Sequence, residues 1–277
     1  MNDENKELYF FDFDKLFENY ADKYYNEHEA EYSSPEDFAK RDLDNVYHTW
    51  ATSPQTSLGG ISPSEFFNRI PTEELIDILK GACVGELNPC SLLFDRIATE
   101  PSLLDDLVAL ARSATDEKLL AVTVSLISEL GGADNDFYLA MIERDIDESI
   151  REVCVEALCD RAEQVKDIIL ERAETTDDLD KKEQYAEILT FCDAGDDKIL
   201  ALLRDLLATD PKVPYIAALI GRYGDDRACA DLYKLIDTCT FAEFIEIRNS
   251  IEMMGGTVDE HCRDFSDDPL YKAYYGL

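Results

Sequence analysis

The chain has 277 residues and carries 61 acidic against 26 basic side chains, a formal net charge of −35, with 45% hydrophobic residues, 12 Gly and 9 Pro. That size fits one extended repeat array with an attached segment, or two ordinary domains, and the apolar content is far from that of a disordered chain. The charge repels phosphate backbones and so argues against nucleic acid and anionic membrane as partners. A basic protein, peptide or cation suits the field better, although acidity is also an ordinary route to solubility.

The first residues are acidic and lack the apolar core of a secretory signal, and no apolar run approaches the roughly 18 residues of a membrane span. The eight cysteines sit inside amphipathic patterns without framework spacing, as Cys154 does among Ile150, Val153, Val155 and Leu158. Free thiols in a reducing compartment are therefore expected, and a cytoplasmic location with them.

Near the start, Phe10, Phe13, Phe17, Tyr20 and Tyr24 follow a 3,4,3,4 spacing that places five rings on one helical stripe, which must pack against a neighbour. Ser34 and Pro35 have the chemistry of a helix start, and the spacing predicts a second helix from there to about Trp50. Next comes a loop with Trp50, Pro54, Leu58, Gly59, Gly60 and Pro63. Ser62 restarts a helix with Glu65 at capping-box spacing. A rigid turn that docks the N-terminal helices is the expected role; Trp50, Leu58, Gly59 and Gly60 make a recognition loop the sharper alternative.

From about Ile70 the chain becomes a run of short helices with polar breaks. Taking Gly131, Ala162, Gly195, Gly224 and Gly255 as equivalent turns gives steps of 31, 33, 29 and 31 residues, the length of one two-helix unit. Within this run, residues 145–158 pass from an Asp-rich turn through Ile150 and Arg151 to Ala157 and Leu158. That stretch resembles the second-helix signature of HEAT-like repeats, including the phycobilisome-lyase-type variants. The resemblance spans about 70–256. It implies an all-α fold, a right-handed α–α superhelix (HEAT-like solenoid) with a helical N-terminal cap, in which Asp145 and Asp147 cap the second helix and Arg151 ties neighbouring repeats. Other units keep the apolar positions and lose the arginine, with Glu183 and Pro214 standing near its place.

The expected division is a helical segment over 1–68 and a repeat array with a C-terminal tail over 69–277. The aromatic N-terminal helices and the tail from Phe265 onward are expected to close the two ends of the array.

Signatures of chemistry are missing from the sequence. His28, His48 and His261 are too few and too scattered for a zinc site, and no nucleophile elbow, Walker loop, dinucleotide turn or EF-hand pattern occurs. Catalytic residues, cofactor and metal ligands are accordingly all read as none. The recurrent Asp-Asp pairs at 105–106, 177–178, 196–197, 225–226 and 267–268 suit helix N-termini, where carboxylates bind orphan amides and complement the dipole. The leading expectation is a non-catalytic scaffold that binds a protein or peptide on the concave face of the array. A lyase- or glycosylase-like HEAT enzyme and an acidic mimic of nucleic acid that occupies a basic protein are the alternatives.

Overall fold

The computed structural model describes residues 12–85, 90–259 and 262–276. Phe10, His261 and the acidic run before Asp12 lie outside the described residues. Within them the chain is all-α, with seventeen α-helices that pack in neighbouring pairs and a single antiparallel bridge, Gln55 to Ile61. The chain divides into two compact units: described residues up to 137 with Arg144–Ile150, and Tyr138–Glu143 with the chain from Arg151 onward. The segment 1–68 therefore belongs to a larger unit that continues through residue 137.

The first unit begins with α1 (Phe13–His28), α2 (Pro35–Arg41), α3 (Leu43–Thr52) and α4 (Pro63–Asn68). Asp12 caps α1 by accepting from Lys15 N at 2.9 Å, and the aromatic stripe then turns inward. Phe13 packs on Phe66 and Phe67 at 5.3 and 4.8 Å between centroids, Phe17 on Tyr47 and Trp50 at 4.9 and 5.3 Å, and Tyr24 on Phe38. The stripe is thus a packing surface that holds α1 across α3 and α4.

The helix expected to run unbroken from Pro35 to Trp50 is two helices. At Asp42 the backbone leaves helical geometry (φ −130°, ψ −10°), and the Asp42 carboxylate accepts the Tyr32 hydroxyl at 2.9 Å. A short acidic side chain that bonds outside its own helix competes with helix continuation, and here it wins.

The unit continues with α5 (Thr72–Val84), α6 (Ser91–Ala98), α7 (Leu104–Ser113) and α8 (Glu117–Glu129), where α7 pairs with α8 and both α5 and α6 pack on α8. Leu75, Leu79, Leu93, Ile97, Leu107 and Ile127 form a dry core among them. Arg144 donates to the carbonyls of Ala111 and Ala114 at 2.9 and 2.7 Å, satisfying the C-terminal end of α7.

Two helices, α9 (Asn135–Met141) and α10 (Glu148–Cys159), carry the chain onward. The second unit then alternates α11 (Ala162–Thr175), α12 (Leu179–Leu189), α13 (Asp197–Thr209), α14 (Val213–Tyr223), α15 (Cys229–Leu235), α16 (Phe241–Met253) and the short α17 (Pro269–Tyr275). Each of α11, α13 and α15 pairs with the helix that follows it, while α12 packs on α14 and α14 on α16.

The second helix of each pair keeps a constant register. Leu158, Leu189, Ile220 and Ile251 stand about 31 residues apart and are all buried, as are Cys154, Tyr185, Ile216 and Ile247. The uneven turn-to-turn steps come from one longer turn: Gly195 follows Leu189 by six residues, whereas Ala162, Gly224 and Gly255 follow Leu158, Ile220 and Ile251 by four. By this register Lys182 and Val213, one residue before Glu183 and Pro214, occupy the place of Arg151.

Gly131, Gly195, Gly224 and Gly255 lie at φ of +99°, +113°, +75° and +86°, a left-handed conformation that glycine adopts without a Cβ clash; Gly131, Gly224 and Gly255 follow helix ends, and Gly195 turns the chain into α13. The fifth turn has no glycine: Ala162 opens α11 directly after a two-residue turn.

α14 lies close against α16, and Gly221 permits it. A Cβ there would lie 2.9 Å from the Cα, Cβ and Oγ of Ser250. Because two of those atoms are fixed by the α16 backbone, G221A is expected to destabilise the protein by about 1–3 kcal/mol in chemical denaturation. In the first unit, the single tryptophan is 2% exposed. Its emission is expected to shift red on unfolding, and W50A to cost about 3–5 kcal/mol, read by circular dichroism since the fluorophore is lost.

Candidate functional site

The residues of the proposed loop are mostly structural in placement. Trp50 and Leu58 are buried, and Gly60 N donates to Gln55 O at 2.9 Å across the turn. Gly59 and Gly60, at φ +70° and +90°, remain at the surface. Asp147 accepts from Ser149 N at 2.9 Å at the start of α10, Asp145 is exposed, and Arg151 is half-buried on α10. Two further arginines tie one hairpin to the next. Arg172 reaches back to Leu139 O at 2.9 Å, and Arg263 to Ile236 O at 3.0 Å, each closing the C-terminal end of an earlier helix. These contacts join residues 27 or 33 apart, and no local motif marks them.

One aspartate in each of three acidic pairs acts as a cap, whereas Asp105 and Asp106 lie in the first turn of α7 without capping it. Asp178, Asp196 and Asp268 accept from backbone amides at the starts of α12, α13 and α17, and Tyr223 Oη binds the amides of Gly195 and Asp196 at 3.1 and 2.8 Å. His28 closes α1, with Nδ1 2.8 Å from Tyr24 O, while His48 lies exposed on α3.

All eight cysteines are unpaired, and six are buried. Burial pushes the Cys154 thiol to about 12, and burial with the nearby Glu187 does the same for Cys159. Cys262 is exposed. Thiol titration of the native protein is therefore expected to modify Cys262 first and to leave Cys154 and Cys159 unmodified until unfolding; mass mapping of the labelled sites reads the order.

The most organised polar surface of the second unit lies along its second helices. Glu143 accepts from Arg172 at 3.1 Å, Lys181 at 2.9 Å and the Tyr185 hydroxyl. Partial burial works against ionisation of Glu143, but the Tyr185 and Lys181 hydrogen bonds and Arg172 outweigh it and hold the carboxyl below its ordinary range.

On the other side of α12, Glu183 meets Lys212 Nζ at 2.8 Å. Glu187 accepts the Tyr215 hydroxyl at 3.2 Å and faces Arg222 at 3.6 Å. Arg222 also stacks over Phe191, 5.1 Å from its centroid, on a ring that is 51% exposed. Lys181 and Lys212 hold equivalent places in the 31-residue register, and each neutralises a carboxylate contributed by an earlier helix.

The same register places Glu152 and Glu156 of α10 opposite Glu183 and Glu187, with Asp160 opposite Phe191. Glu152, Glu156 and Asp160 are exposed, at i, i+4 and i+8 along one stripe, and none of the three has an ion pair among the described residues. The position that would neutralise Glu152 is Lys181, which is turned instead to Glu143. One acidic row on α12 is thus covered by its neighbour, and the matching row on α10 is left to solvent.

An open groove of about 260 Å³ lies between α11 and α13, lined by Leu170, Glu174, Lys182, Lys198, Leu202 and Asp205. Among the described residues no group of three or more His, Cys, Asp or Glu side chains is placed to hold a metal ion, and no helix is long and apolar enough to cross a membrane. Comparison with protein-family models, with curated proteins and with solved structures found no match to this chain.

Proposed function

We propose that the second unit is a non-catalytic scaffold of HEAT-like kind, its helix pairs continuing a right-handed superhelix, and that its second-helix face binds a protein or peptide segment rich in Lys and Arg. The constant register of α10, α12, α14 and α16 supports the repeat reading. One observation carries the binding reading: the row Glu152, Glu156 and Asp160 keeps its charge uncompensated where the equivalent carboxylates of α12 are paired.

Four-residue spacing lines the three carboxylates up over two helical turns, so a cationic segment laid along α10 meets them in succession. Repulsion among them in the free protein is relieved by the partner's charges, which makes the contact favourable at low salt and weaker as screening rises. Exposed Phe191, under the guanidinium of Arg222, holds the register place of Asp160 one repeat on.

A chain of net charge −35 attracts any polycation, so the test must separate a site from a field. Binding of a labelled Lys/Arg-rich peptide to the full chain is measured for the triple variant E152Q/E156Q/D160N and for D105N/D106N/E117Q, which removes the same charge from exposed positions on α7 and α8. The first variant is expected to weaken binding about tenfold, at roughly 0.5 kcal/mol per exposed contact, and the second far less. Equal losses in the two variants would leave only the diffuse field and sink the proposal.

A further inference from the structure

The connection between α13 and α14 buries a carboxylate pair that the binding reading does not use. Asp210 ends α13, and Lys212 begins α14, with Asp210 Oδ1 accepting Lys212 N at 2.7 Å. Glu183 of α12 reaches the same place, and its carboxylate meets Lys212 Nζ at 2.8 Å. Glu183 and Asp210 are 8% and 5% exposed; Glu183 Oε1 lies 2.8 Å from Lys212 Nζ without a hydrogen bond of its own, and Asp210 Oδ2 is buried with no partner. Two buried carboxylates that share one surface lysine are costly as long as both are ionised.

We propose that Glu183 and Asp210 share one proton in the folded protein, and that this proton is a pH-sensitive latch between α12 and the α13–α14 turn. A proton on either group turns the repulsion between the two carboxyls into attraction and gives the orphaned Asp210 Oδ2 a partner.

The remaining charge around the pair comes from the three helices that meet there. Asp180 and Glu187 of α12 add negative charge, and Asp180 shares Lys212 at 3.0 Å. From α13, Asp205 faces Lys182 at 3.8 Å, and from α14 come Lys212 and Tyr215, whose hydroxyl is bonded to Glu187. Lys212 is thus the one cation that touches Glu183, and it is divided between two carboxylates, so it cannot neutralise the pair.

Burial, followed by Asp210, raises the Glu183 carboxyl above its ordinary value of 4.5 even against the opposing pull of Lys212. The native chain therefore retains a proton that the unfolded chain has released. Stability supplied by the shared proton is complete below about 4.5 and is lost as pH rises from there through the folded value.

The decisive variant is D210N. Its amide oxygen still accepts from Lys212 N, and its NH₂ donates to Glu183 Oε1 without needing a proton. Thermal melts of wild type and D210N are expected to coincide near pH 4.5 and to separate as pH rises, with the variant higher by about 2–4 °C at pH 8. A gap that is constant with pH, absent, or set by added Na⁺ or K⁺ instead of pH would overturn the proposal. Carboxyl-carbon NMR on the wild-type chain gives a second reading that needs no variant. The Glu183 resonance is expected to titrate above its ordinary range, and Glu183 titrating within that range would equally overturn it.

Discussion

The second unit depends on one constraint: a helix such as α14 cannot hide its apolar surface within its own hairpin. From Val213 to Tyr223 only Arg222 is freely exposed, because α13 covers one side, α12 a second and α16 a third. A hairpin of two helices buries one stripe on each; the other stripes are buried by the hairpins before and after it. That requirement explains the fixed register of Leu158, Leu189, Ile220 and Ile251. A residue inserted in a second helix would rotate its buried stripe by about 100° away from both neighbours, whereas one inserted in a loop or an exposed end is absorbed locally. Variation in length is accordingly found in the first helices and their turns. Glycine at 221 is the extreme case, where the backbone of α14 lies against Ser250 with no room for a methyl group.

A chain this acidic must also keep its charge from opposing the packing. Three devices recur. Aspartates sit at helix N-termini, where the dipole favours them, as Asp178, Asp196 and Asp268 do. Arginines are spent on carbonyls at helix C-termini, as Arg144, Arg172 and Arg263 are, which satisfies orphan acceptors and joins successive hairpins in one contact. Asp225 is nearly buried, and hydrogen bonds from Arg227 hold its carboxyl below the ordinary range despite the cost of burial. Basic residues are scarce, so where they are placed decides which carboxylates stay bare.

What could be read from the sequence follows from how far apart the interacting residues are. Helix starts such as Ser34-Pro35 and Ser62-Pro63, the glycine turns and the aromatic stripe of α1 depend on residues within a turn or two of each other, and their chemistry is visible in a line of text. The break at Asp42 was hidden because it is settled by Tyr32, ten residues away and in no periodic relation to it. The inter-hairpin arginines were hidden for the same reason. Arg172 acquires its role only once α9 and α11 are folded. In the loop, the pattern that singled out Trp50 and Leu58 as potential contacts could not show that both point into the core. Nor could carboxylates spread through every repeat reveal which of them lack a cation.

That last distinction is where structure and function meet. Glu152 and Glu156 have the same register as Glu183 and Glu187, so helix geometry alone treats the two pairs alike. They differ in the helix that follows. α14 presents Lys212, Tyr215 and Arg222 to α12, whereas α12 carries Lys181, Gln184 and Phe191 at the equivalent places and commits Lys181 to Glu143. Folding gains little from leaving two carboxylates and Asp160 aligned and uncovered, since like charges four residues apart on a helix repel by a few tenths of a kcal/mol. The cost is small enough for a stable array to carry, and large enough in sum for a cationic segment to relieve. The same helix-pair geometry thus yields a closed row on α12, fastened to the helix that follows, and an open row on α10, the one assigned above to the proposed cationic segment.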